Sequence, residues 1–134
     1  MKQTINDVGA IAYVNDKWDE KEVEKGHKLV DYAGRCVLIP DDPAAPKQTE
    51  ECVGKYEYMP GGSWKASGTG TVTYKGGDTL SVSWEEGSDL KEYTFKVTSG
   101  TGKYQGATGE GTYFYENLTD TLSGGTYKAT IQLP

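Results

Sequence analysis

The stretch "ASGTGTVTYKGGDTLS", Ala66 to Ser81, returns about forty residues later as "ATGEGTYFYENLTDTLS", Ala107 to Ser123. Alanine, a small hydroxyl residue, Gly-x-Gly-Thr, a tyrosine and a closing Asp-Thr-Leu-Ser recur in order, with one residue more in the turn. Successive side chains of a strand point to opposite faces. Gly68, Gly70, Val72 and Tyr74 therefore share one face, as do Gly109, Gly111, Tyr113 and Tyr115. Each copy reads as strand, turn, strand. Neither holds a nucleophile beside a base, so the echo is one hairpin built twice rather than a chemical site used twice. Glycine on an inward face lets a strand coil sharply and leaves volume unfilled.

Working outward, "HKLVDYAGRCVLI" from His27 is a long strand with an expected bulge at Ala33-Gly34. The proline-punctuated "PDDPAAPKQTE" leads to "CVGKYEYM", and "PGG" turns the chain into "SWKASGTGTVTY". "KGGD" and "EGSD" are hairpin turns on either side of "TLSVSWE", before "LKEYTFKVTS". "GTGKYQGAT" connects to "GEGTYFYE", and "GTYKATIQL" is the last strand. Ile5 to Val14 reads as the first strand. "NDKWDEKEVEKG" after it reads either as a short helix capped by Asp16 and stopped at Gly26, or as a solvated acidic loop, since Glu20 and Glu24 repel at i, i+4 on a helix. The count is roughly eight short-linked strands, the pattern of an up-and-down antiparallel β-barrel, with a two-sheet sandwich as the alternative. Leu80, Val82 and Trp84 share a face, as do Tyr93, Phe95 and Val97, and Tyr127, Ala129, Ile131 and Leu133. One face is buried and the other wet, as a barrel wall requires.

At 134 residues the chain suits a single domain, 1–134. Ten tyrosines against two phenylalanines favour walls that meet both core and ligand or water. A net charge of −6 and no basic run longer than a pair exclude nucleic acid and an anionic membrane as expected partners. No zinc motif, dinucleotide fingerprint or phosphate-cradling loop before a helix is present, so no cofactor is expected. "GTGKYQG" lacks the following helix that a phosphate site needs.

Cys36 and Cys52 lie on consecutive strands. If they face each other, Tyr32 falls opposite Tyr56 and Val30 opposite Tyr58, and a disulfide coincides with an aromatic face. Two buried thiols, or one thiol lining a site, are the competing readings. A disulfide would place the protein in the periplasm or outside the cell, with any secretory signal already removed.

Two segments resemble the superfamily of allene oxide cyclases and dirigent proteins, bacterial barrels of that shape included. "AGRCVLIPDDP" (Ala33 to Pro43) is similar to the cyclases' long strand, with a cysteine before an apolar run and a charged, proline-containing loop. "VTSGTGKYQGATGEG" (Val97 to Gly111) is similar to the glycine-rich connection both families share. The resemblance runs from His27 to Pro134. It implies an eight-stranded barrel, often a trimer, with an apolar cavity that guides ring closure of an epoxide or radical coupling. Only Cys36 maps onto a cavity-lining position of the family; the cyclases' N-terminal acidic and polar pair has no counterpart here.

The lining expected from alternation and resemblance together is Tyr32, Cys36, Tyr56, Tyr58, Trp64, Trp84, Tyr93, Phe95 and Tyr113. No catalytic residue is singled out. His27, the sole histidine, reads as a surface residue, and Asp31 opposite Glu57 as an outward pair of carboxylates. The expected function is a barrel that binds one apolar or aromatic molecule and guides its isomerisation, cyclisation or coupling. A lipocalin-type carrier without turnover and a secreted structural or interaction domain with a solid barrel are the alternatives. A homo-oligomer, trimer or dimer, is expected on resemblance alone.

Overall fold

Alternation becomes a closed ladder. The computed structural model describes residues 2–134. Its strands are β1 (Gln3–Glu24), β2 (His27–Pro40), β3 (Gln48–Tyr58), β4 (Trp64–Tyr74), β5 (Thr79–Gly87), β6 (Tyr93–Gly100), β7 (Thr108–Asn117) and β8 (Leu122–Leu133). They pair antiparallel in sequence order, and β1 also pairs with β8, which closes an eight-stranded barrel and excludes the sandwich. The echoed motif forms the β4–β5 and β7–β8 hairpins. Because β4 and β7 run in opposite directions, the same motif sets Tyr74 at one end of the barrel and Tyr115 at the other.

The first of those ends is shut. Tyr74 stacks on Tyr104 of the single-turn 3-10 segment Gly102–Tyr104, with ring centres 4.3 Å apart, over a cluster including Leu80, Val82, Ile131 and Leu133. The sequence predicts a lumen left partly hollow by inward glycines, and the structure corrects this: neighbouring rings fill the space. Trp84 lies across Gly54 and Gly68, where an added Cβ would stand 2.5 Å from its ring, and Phe95 lies across Gly111. Each missing side chain makes room for a neighbouring ring. The Trp84 indole N–H donates to the Thr69 carbonyl at 3.1 Å, which locks that ring in place. A central cavity of about 50 Å³ remains.

Three local expectations are corrected. The acidic segment after Val14 is neither helix nor loop: Lys17–Glu24 continue β1 and pair with β2. On a strand Glu20 and Glu24 stand roughly 13 Å apart, and Lys28 reaches Glu20 at 3.6 Å, so the repulsion that opposes a helix is relieved. The bulge expected at Ala33-Gly34 sits across the ladder from them, at Asp16 between Asn15 and Lys17. β8 accompanies β1 only through Val14, so the rest of β1 has a strand on one side alone.

The third correction concerns the cysteines. Cys36 stands opposite Glu50, Cys52 opposite Gly34, Tyr32 opposite Gly54 and Val30 opposite Tyr56, two residues away from the disulfide register. Both cysteines are free. A slip of two preserves every inward face, so alternation does not distinguish the registers. Strand β3 starts at Gln48, earlier than its proline-rich lead-in suggests. With the thiols unbonded, the ground for an oxidising compartment is gone. The trimer, which rested on resemblance alone, has no support in the single chain and is withdrawn.

Candidate functional site

The other end of the barrel opens into a basin of about 680 Å³. Tyr58 ends β3, Trp64 begins β4 and Tyr93 begins β6, so three ring-bearing termini converge on the rim. Tyr32, Tyr56 and Tyr115 form the inner wall. Trp18 arrives because of the bulge. Tyr13 points inward opposite Cys36, and strict alternation would send Lys17 inward as well; the extra residue at Asp16 gives that place to Trp18, opposite Tyr32. Arg35 holds Asp16 through both nitrogens, Nε at 2.8 Å and Nη2 at 2.9 Å. The Trp18 ring then lies 5.0 Å from Tyr56, and Tyr56 stacks on Trp64 at 5.8 Å.

Glu86 is the floor of this basin. It is 7% exposed and accepts hydrogen bonds from three phenols: Tyr56 at 2.9 Å and Tyr115 at 2.5 Å on Oε1, and Tyr113 at 2.6 Å on Oε2. Tyr56 and Tyr115 also meet at 3.0 Å. Burial pushes the Glu86 carboxyl above its ordinary range, while the three phenols pull it back. Burial and the neighbouring Glu86 charge hold all three phenols protonated. The arrangement is a buried acid in a fixed cage of donors, able to hold or release a proton beside an apolar guest.

Two more carboxyls point inward. Glu50 lies between the thiols, with Cys52 Sγ donating to Oε2 at 2.9 Å and Cys36 Sγ to Oε1 at 3.7 Å. Asp7 accepts from Gln48 at 2.5 Å and from Tyr127 at 3.0 Å.

Of the residues expected from sequence, Tyr32, Tyr56, Tyr58, Trp64 and Tyr93 border the basin. Trp84, Phe95 and Tyr113 border the small cavity beneath it, and Cys36 is buried in the wall against Glu50. Asp31 does not meet Glu57: it faces Lys55, and Glu57 binds His27 Nε2 at 2.7 Å on the outer side, which lowers the Glu57 carboxyl. His27 thus lies on the outer side, as expected, and is paired there with Glu57. Sequence reasoning missed Glu86 by assigning it to the "EGSD" turn. The signal was present, since the alternation through Leu80, Val82 and Trp84 continues one step to Glu86.

No family model matches the chain, and no curated protein matches it. Solved structures do. The pterocarpan synthase dirigent protein GePTS1 is similar over 98% of this chain and 90% of its own, with a TM-score of 0.65 and 11% identity. The pterocarpan synthase dirigent protein PsPTS1 covers 97% of this chain and 94% of its own, with a TM-score of 0.55 and 13% identity. A pyocyanin demethylase covers 90% and 98%, with a TM-score of 0.47 and 14% identity. At such identities the likeness to the two dirigent proteins is one of fold: the chain has a barrel of the dirigent and allene oxide cyclase-like kind.

Proposed function

We propose that the barrel takes one aromatic or apolar small molecule into its open end and guides a ring closure or isomerisation in which Glu86 gives or takes the proton. The observation that carries this reading is the position of Glu86, an inward acid caged by three phenols at the bottom of an aromatic basin. Rings of Trp18, Tyr58 and Trp64 offer faces for a planar guest, which fixes its conformer and excludes water. With its pKa raised, Glu86 keeps its proton closer to neutral pH than a free carboxyl does, and the phenols stabilise the anion left after transfer. The dirigent barrels of like shape carry the name of a synthase, which makes ring-forming chemistry the first class to test.

The test separates binding from turnover. Titration with 2-naphthol, a neutral aromatic probe, quenches tryptophan emission, and W18A weakens that binding by about tenfold. E86Q keeps the binding, and turnover across a panel of phenolic and polyunsaturated substrates falls by roughly 10²-fold or more. Full turnover in E86Q removes the acid–base role. Binding with no turnover in wild type favours a carrier, a reading that the complete satisfaction of Glu86 by its phenols also fits.

A further inference from the structure

Beneath the basin, two thiols converge on one carboxyl. Cys36 and Cys52 come from neighbouring strands, two steps apart on the ladder, and Glu50 stands opposite the first and two residues before the second. One ligand atom from each of the three lies within 4.8 Å of the others. We propose that Cys36, Glu50 and Cys52 form a binding site for one thiophilic divalent cation of the zinc class.

The dimensions fit. Tetrahedral zinc with Zn–S of about 2.3 Å and Zn–O of about 2.1 Å separates its ligand atoms by roughly 3.6–3.8 Å. Cys36 Sγ already stands 3.7 Å from Glu50 Oε1, the spacing of two ligands on one tetrahedral ion, and Cys52 Sγ contacts the other oxygen, Oε2, at 2.9 Å, so a turn of the carboxylate or the thiol brings one oxygen and both sulfurs to one ion. Gly70, opposite Cys52 on β4, supports the carboxylate: a Cβ there would stand 3.1 Å from the Glu50 Cδ and collide with its oxygen. The site is therefore shaped around Glu50 from a third strand. Glu50 and Cys52 border the central cavity of about 50 Å³, which has room for a water as fourth ligand.

Charge argues the same way. Two thiolates and a carboxylate in a desolvated wall repel one another, and a divalent cation offsets two of the three charges. Two sulfurs with one oxygen suit zinc, cobalt or cadmium; magnesium and calcium prefer all-oxygen shells. The site shares no residue with the Glu86 cage and stands whether or not the basin is catalytic.

Cobalt(II) alone, added to reduced, chelator-stripped protein, is the direct probe. One equivalent binds with a thiolate-to-cobalt charge-transfer band and the intense visible bands of a tetrahedral ion, and zinc displaces it one for one. C36S and C52S each weaken the charge-transfer band, C36S/C52S abolishes it, and E50Q keeps it while lowering affinity by about tenfold. A weak, octahedral cobalt spectrum in wild type overturns the proposal, as does a spectrum that C36S/C52S leaves unchanged. A second readout needs no variant: zinc slows alkylation of both cysteines in the wild-type protein, and equal labelling with and without zinc refutes the site.

Discussion

A carboxyl group removed from water must recover hydrogen bonds or keep its proton; Glu86 recovers three from phenols, and burial raises its pKa. Its three phenols explain why burial is tolerated, and its raised pKa makes a prediction with a definite sign. In the folded state Glu86 binds a proton more tightly than the unfolded chain, whose glutamates titrate near 4.5. Stability from this group is complete below that value and is lost as pH rises through the folded pKa. Melting temperature followed from pH 4.5 upward therefore falls more in wild type than in E86Q, which has no proton to lose at that position. An identical slope in the two proteins rules the effect out. The same residue marks the limit of what sequence conveys at this scale. Most inward tyrosines, with Trp64 and Trp84, are legible because apolar rings at period two have only one place to go, whereas Trp18 turns inward only through the bulge at Asp16. Glu86 and Glu50 are not legible, since charges belong outside in the ordinary case and only the completed cage shows why these stand inside.

Elements were read more reliably where turns were glycine-rich and faces alternated: β4, β5, β7 and β8 fall within a few residues of their expected limits. The second half of β1 was lost because charge density hid a strand that β2 organises from the other side. The β2–β3 register was lost because a slip of two residues leaves all faces intact, while moving Glu50 between the thiols. Packing between elements is tight enough to test with a single methyl group. At Gly68 an added Cβ meets the Trp84 ring and the Val53 carbonyl, and backbone cannot swing aside. G68A is expected to destabilise by about 1–3 kcal/mol through overpacking, measured by urea denaturation. G76A, in a hairpin turn with no atom within 4 Å, carries only the strain of its positive φ and leaves Trp84 emission unchanged. Equal Trp84 emission in G68A and wild type would mean that the ring does not rest on that glycine.

For the whole molecule, the closed ladder matters less than where it stops. Along the barrel every strand has two neighbours, but β1 outruns β8 by ten residues, from Asn15 to Glu24. An unaccompanied strand invites another chain to lie alongside it, and nature discourages such visitors with charge. Here that stretch carries Asp16, Asp19, Glu20, Glu22 and Glu24 against Lys17 and Lys21. Acid removes the deterrent while relieving Glu86, so one titration pulls two properties apart. From neutral pH down to the ordinary glutamate value near 4.5 single molecules are expected to resist heat better, and below about 4, where exposed carboxylates gain protons, they are expected to gather into larger particles. Light scattering and calorimetry on the same samples read both, and particles that stay single through that range would show that this margin is guarded by something other than its anions.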